Sequence, residues 1–120
     1  MYKRQTKTKA GKDRVVPIHS KIRPLVEARL AEGGPRLISY NGRICNQTQY
    51  RIFWADIMKA LAMNHTPHEC RHTFETQLDS AGANRKCIDL LMGHVSKDTG
   101  NRVYNHKTLD ELKATVELIK

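Results

Sequence analysis

The stretch TPHECRHTF, residues 66–74, contains side chains that could perform two different kinds of chemistry. His68 and His72 are four residues apart with Glu69 between them, which is the spacing by which a helix binds zinc and directs a carboxylate at metal-bound water. His68 and Arg71 are three residues apart, which places an imidazole beside a guanidinium on one helix face. That second pair could bind a phosphate, because the guanidinium offers a bidentate fork.

Zinc chemistry is the weaker of the two hypotheses. Glu69 has a structural explanation, since residues 66–69 form a capping box with proline at its first helical position. An extended zinc-protease pattern requires Gly and His beyond the second histidine, where this chain has Glu75 and Leu78. A third ligand would have to be a distant carboxylate such as Glu111, in a stretch with ordinary amphipathic spacing. We therefore predict no metal site and no cofactor, and keep a zinc metalloprotease as an alternative.

The phosphate hypothesis gains support from the position of the pair and from the rest of the chain. His68 and Arg71 fall in the first turns of a predicted helix, where backbone N–H groups and the helix dipole favour an anion. His94 follows a glycine at a predicted helix end, and Tyr104 lies ten residues further on. A lysine-rich segment beside Gly11 lies near the N-terminus.

The elements that must position these side chains are mostly helical, and we predict an α+β fold with a small N-terminal antiparallel β element followed by about five helices. The patterns predict, in order, a hairpin over 1–18 turning at 10–12, a helix over 21–32 capped by Ser20, a strand over 36–40 with a turn at Asn41-Gly42, a helix opened by Thr48, a helix from Pro67 to Gly82, a helix over 85–92 between Asn84 and Gly93, and a terminal helix over 108–119. The apolar stripe of the Thr48 helix is predicted to pack in the core; its members are Tyr50, Phe53, Trp54, Ile57, Met58 and Leu61.

Composition limits the class of protein. A chain of 120 residues fits one domain, and its net charge of +9 with a pI near 9.8 favours a polyanionic partner such as nucleic acid. No apolar run is long enough for a membrane span and no signal peptide is recognisable, so we expect no membrane association and a cytoplasmic location. Cys45, Cys70 and Cys87 lack a metal-binding spacing and are expected to be reduced thiols.

Four stretches, in this order, resemble the catalytic domain of the tyrosine recombinases, the phage integrase family, which shares its chemistry with type IB topoisomerases. They are TKAGKDRVVPI, TPHECRHTF, LLMGH and VYNHKTLDEL. The resemblance implies double-stranded DNA as the substrate and strand exchange through a 3′-phosphotyrosyl intermediate. It also implies no metal or ATP, and a homo-oligomer that is a tetramer on DNA in the full-length protein.

Carried onto this sequence, the resemblance makes Tyr104 the nucleophile, with Arg71 as the phosphate clamp. His68 and His94 would add hydrogen bonds and assist proton movement, and Lys9 would be the general acid toward the 5′-oxygen. Lys7 is the alternative to Lys9; Lys7, Lys12 and Arg14 are expected to contact DNA.

The sequence departs from the family pattern in two places. The family uses a second arginine from a helix upstream of the hairpin, and Arg4 lies in the hairpin's first arm instead, so we expect residues 1–120 to be a partial catalytic domain, inactive by itself. The interval from His94 to Tyr104 is one residue longer than the commonest family spacing. In this family the segment after the tyrosine often packs on a neighbouring protomer, and packing of helix 108–119 on its own core is an equal alternative. A non-catalytic DNA-binding module remains the second hypothesis for the whole chain.

Overall fold

The computed structural model describes residues 15–94 and 109–120, and within these ranges the chain is mostly helical. The described elements are α1 (Arg23–Ala31), β1 (Ser39–Tyr40), β2 (Arg43–Ile44), α2 (Gln47–Ala60), α3 (Pro67–Ser80), α4 (Arg85–Met92) and α5 (Leu109–Val116). Within the described ranges, five helices and a two-stranded antiparallel sheet confirm the predicted α+β class. The predicted N-terminal hairpin lies almost entirely outside the described residues. No helix in the described ranges is long and apolar enough to span a bilayer.

The described chain divides into two compact units. The first, here called the terminal unit, contains residues 15–20, 71–94 and 109–120; the second, the middle unit, contains residues 21–70. Helix α3 therefore begins in the middle unit and continues in the terminal unit.

The terminal unit contains the buried core. Leu78 and Ile88 are fully buried, and Leu91, Met92 and Val116 complete the cluster. Helix α4 packs against α5, and Leu112 and Ile119 lie against the same cluster. In this single chain the terminal helix packs on its own core, which is one of the two alternatives left open by the sequence.

Polar contacts also hold the C-terminal residues to the segment that precedes α1. Ser20 donates its backbone N–H and its hydroxyl to the Glu117 carboxylate, both at 2.7 Å. His19 Nε2 lies 2.8 Å from the carbonyl oxygen of Ile119. Ser20 is therefore not the cap predicted for α1, which begins at Arg23 with Ile22 as N-cap and no side-chain cap bond. The prediction failed because the carboxylate that binds Ser20 lies 97 positions away in the sequence.

The middle unit contains α1, the β1–β2 hairpin and α2. Asn41 and Gly42 both have positive φ, 49° and 72°, which fits the twist of a two-residue hairpin turn. The strand predicted over 36–40 is shortened to Ser39–Tyr40, which pairs with Arg43–Ile44.

The apolar stripe of α2 is not a buried core, and that prediction was wrong. No residue of α2 is buried, and Ile57 and Leu61 are 49% and 59% exposed. The aromatic rings pack on one another instead: Phe53 lies 5.1 Å from Tyr40 between ring centroids, a tilted contact. A unit of about 50 residues buries a smaller fraction of its surface than a larger domain does, which fits the partial exposure of this stripe.

Helix boundaries follow local capping signals where these exist. Asn46, not Thr48, caps α2: its side chain accepts the Gln49 N–H, and the Gln49 side chain accepts the Asn46 N–H in return. Helix α4 lies between Asn84 and Gly93 as predicted. Helix α3 ends at Ser80, two residues before the predicted end.

Candidate active site

Arg71 is half-buried in the terminal unit and is directed at the end of α4. Its Nη2 group donates a hydrogen bond to the backbone carbonyl of Met92, the last residue of α4. The last carbonyls of a helix have no partner within the helix and carry partial negative charge, so a guanidinium stabilises them. This bond connects α3 to α4 two residues before His94, a connection that no local pattern indicated.

His94 is presented by a glycine turn at the same end of α4. Gly93 has a φ of 73°, its N–H bonds to the carbonyl of Leu90 at 3.2 Å, and the His94 N–H bonds to Asp89 at 2.9 Å. This pair of bonds is the Schellman motif, which ends a helix sharply and satisfies its last carbonyls. His94 is exposed beyond it. The terminal unit therefore brings Arg71 and the backbone that presents His94 to one end of α4.

His68 lies in the first turn of α3, in the middle unit, and is exposed. Glu69 beside it performs the structural role predicted from the sequence, because its carboxylate accepts the backbone N–H of Thr66. That bond, with further bonds from the Thr66 hydroxyl and His65, holds the pKa of the Glu69 carboxyl below its ordinary value. Glu69 thus serves as a helix cap at this position.

The described residues offer no support for a zinc site. Within residues 15–94 and 109–120, no group of three or more His, Cys, Asp and Glu side chains is arranged to hold a metal ion. Cys45, Cys70 and Cys87 are all free thiols.

An ion-pair network that the sequence analysis missed joins α3 to α4. Arg85 lies 2.8 Å from Glu75 and 3.2 Å from Asp89. The hydrogen bond that it donates to Glu75, together with the charge of Asp89, raises the pKa of the guanidinium. The pair Arg85–Asp89 has the i,i+4 spacing that a sequence reveals. The contact with Glu75 has no such signal, since it depends on how the two helices meet.

Five predicted site residues lie outside the described residues: Tyr104, Lys9, Lys7, Lys12 and Arg14. Their assignments remain predictions. Of the predicted catalytic set, the described residues include His68, Arg71 and His94.

Comparison with known proteins gives consistent matches. The phage integrase family matches residues 3–111. The chain is 36% identical over 112 residues to the tyrosine recombinase XerC of Pelobacter propionicus, an alignment covering 87% of this chain and 37% of that protein. It is 32% identical over 119 residues to the tyrosine recombinase XerD of Oceanobacillus iheyensis, covering 88% of this chain and 39% of that protein. No solved structure matches significantly.

The chain spans less than two fifths of the length of these curated relatives. The family match nevertheless extends over most of its residues, and it includes every predicted catalytic residue. The chain therefore belongs to the phage integrase family.

Proposed function

We propose that this chain is the catalytic part of a tyrosine-type site-specific DNA recombinase, which cleaves and rejoins strands through a 3′-phosphotyrosyl intermediate at Tyr104. The observation that carries the proposal is the bond from Arg71 to the Met92 carbonyl, directly before the Gly93-His94 turn at the end of α4, in a member of the phage integrase family. Strand exchange follows when the freed 5′-hydroxyl of another strand attacks the phosphotyrosine.

The chemistry requires cationic donors because a phenol, with a pKa of about 10, is a weak nucleophile at neutral pH. Arg71 would stabilise charge on the non-bridging oxygens as the phosphorus becomes pentacoordinate. Its bond to Met92 uses one of the five N–H donors of a guanidinium, so the phosphate can still be bound through others. His68 and His94 would add hydrogen bonds, and Lys9, or alternatively Lys7, would protonate the leaving 5′-oxygen.

Double-stranded DNA is the proposed substrate, and the net charge of +9 supports it. Lys7, Lys12 and Arg14 are proposed DNA contacts in the N-terminal segment. The complete protein is proposed to act in the cytoplasm as a homo-oligomer, a tetramer on DNA, because strand exchange needs a nucleophile for each strand that is cut.

The 120-residue polypeptide by itself is expected to cleave little or no DNA. The family resemblance implies a second phosphate-binding arginine ahead of the hairpin, whereas Arg4 is predicted to lie in the hairpin's first arm. Loss of one such donor costs about 3–4 kcal/mol, or about 100- to 1,000-fold in rate. Efficient covalent adduct from residues 1–120 alone, on a suicide substrate that traps the cleaved strand, would contradict this expectation.

The decisive experiment replaces Tyr104 by phenylalanine in the complete natural polypeptide that contains this chain. Tyr104→Phe should abolish covalent DNA attachment and leave non-covalent binding within about twofold, because only the nucleophilic oxygen is lost. Tyr40→Phe, at a tyrosine 48% exposed in the middle unit, is the matched control and should retain adduct formation.

Two results would reject the proposal. Unchanged adduct with Tyr104→Phe would place the nucleophile elsewhere. Salt-dependent DNA binding without adduct from the unsubstituted protein, tested on DNA carrying its own recombination site, would instead favour the non-catalytic DNA-binding module.

A further inference from the structure

Trp54 holds the backbone immediately ahead of α3. The indole Nε1–H donates a hydrogen bond to the carbonyl oxygen of His65 at 2.6 Å, and the ring is stacked on Tyr50 at 6.5 Å between centroids. Trp54 is half-buried on α2, and all three residues belong to the middle unit. A side chain on α2 thus binds the linker that leads into the next helix.

The peptide group between His65 and Thr66 is also bound at its N–H by a side chain of α3. The carbonyl of His65 and the N–H of Thr66 belong to one planar peptide unit. Trp54 binds its oxygen, and the Glu69 carboxylate accepts its N–H. The His65 ring also lies 3.5 Å from Glu69, from Nδ1 to Oε1. A peptide plane bound at both ends cannot rotate without losing one of these bonds.

The two residues that follow have little conformational freedom of their own. Thr66 precedes a proline, which restricts it to extended backbone, and the ring of Pro67 fixes the φ angle of the first helical residue. His68 comes next. Because the backbone between them is stiff, the orientation of the 65–66 peptide determines the orientation of His68, the residue that the proposed reaction uses.

We propose that Trp54 is a positioning residue for strand cleavage: its indole N–H and the Glu69 carboxylate together fix the peptide between His65 and Thr66, and this peptide sets the direction in which α3 presents His68. The inference rests on the proposed function, because it assigns His68 to the reaction. Trp54 itself does not touch the DNA phosphate in this scheme. Its contribution is geometric, and its loss should slow chemistry more than it weakens DNA binding.

The test uses the complete natural polypeptide and measures the rate of covalent adduct formation and the Kd for DNA separately. Trp54→Phe, which keeps an aromatic ring and loses the N–H, should slow adduct formation about tenfold to hundredfold, as expected when a reacting group shifts by up to about 1 Å. The DNA Kd should stay within about twofold. Tyr50→Phe keeps the stacking ring and should react at the unsubstituted rate.

Two tryptophan analogues, placed at position 54 by codon suppression, separate the hydrogen bond from ring packing. 3-Benzothienylalanine has the shape of tryptophan without the N–H and should be as slow as Trp54→Phe; it also replaces that variant if phenylalanine prevents folding. 7-Azatryptophan keeps the N–H and should restore the rate to within about twofold.

The outcomes distinguish this inference from the proposed function. An unchanged rate with 3-benzothienylalanine, or a slow rate with 7-azatryptophan as well, overturns the positioning role while adduct formation by the unsubstituted protein still supports the recombinase. Absence of adduct from the unsubstituted protein overturns both.

Discussion

Replacing Gly93 by alanine should reduce strand cleavage far more than it reduces stability. Gly93 has a φ of 73° at the end of α4, a conformation that costs an L-residue about 1–2 kcal/mol. Alanine also lowers the conformational entropy of the unfolded chain, which stabilises the folded protein by about 0.4–1 kcal/mol. The net loss in the free energy of unfolding is therefore about 1 kcal/mol. For a chain of 120 residues this lowers the Tm by about 4 °C.

The effect on chemistry should be larger because Gly93 lies between the carbonyl that binds Arg71 and the proposed site residue His94. Met92, whose carbonyl accepts the Arg71 bond, precedes it, and His94 follows it. An alanine that moves toward negative φ changes the direction of both. We expect covalent adduct to form about tenfold to hundredfold more slowly, consistent with displacement of a transition-state donor.

Gly82→Ala is the matched control for this experiment. Gly82 has a φ of 75° after α3, and the Ala83 N–H bonds to Leu78 as the His94 N–H bonds to Asp89. A Cβ at Gly82 would meet no atom within 4 Å, so backbone strain is its only expected cost.

Both glycine variants should lose similar stability in thermal unfolding followed by circular dichroism, and Gly82→Ala should keep its adduct rate within about threefold. Rates are compared on a suicide DNA substrate at a temperature where both variants are folded. Equal rates for the two variants would refute the assignment of the α4 turn to the active site.

Three further predictions concern the core, the C-terminal contact and the phosphate clamp. Ile88→Ala should lower the free energy of unfolding by about 2–5 kcal/mol in urea titrations because Ile88 is fully buried, whereas Ile57→Ala, at a residue 49% exposed, should cost less than about 1 kcal/mol. Bonds from Ser20 hold the pKa of the Glu117 carboxyl below its ordinary value of 4.5, so the contribution of Glu117 to folding stability is complete above pH 4.5 and is lost as pH falls through the lower folded pKa. Glu117→Gln should therefore make the free energy of unfolding fall less steeply below about pH 4.5. An unchanged pH slope would contradict this. Arg71→Lys should slow adduct formation about 100-fold and weaken DNA binding by less than about tenfold, because lysine keeps the charge and loses the bidentate fork. Equal losses in the adduct rate and in DNA affinity would assign Arg71 to binding alone.

Local signals in the sequence were sufficient for the fold class, several helix ends and the family resemblance. Asn84, Pro67 and Gly93 act on backbone groups within a few residues, so their effects can be predicted without knowing what the helix packs against. The same is true of Glu69, whose partner Thr66 is three residues away. The order and spacing of the motif residues led to the family that the comparisons later established.

The sequence was less informative wherever a local signal competed with a distant partner. Ser20 has the residue type of a helix cap, and Glu117 binds it instead. The stripe on α2 has the spacing of a core helix, yet periodicity reports which side chains share a face and not whether another element covers that face.

The amino-acid sequence by itself determined the chemical groups of this protein and their order along the chain, and it predicted the helix that contains His68 and Arg71 and the turn before His94. These properties depend on residue type and on interactions over three or four positions. Only the tertiary structure decided that Arg71 reaches the end of α4, that Arg85 joins two helices through Glu75, and that Trp54 holds the linker before α3. Each of these contacts joins residues 10 to 21 positions apart in sequence. Such contacts form only when packing has overcome the entropy of closing the chain between them, and no local pattern encodes that outcome.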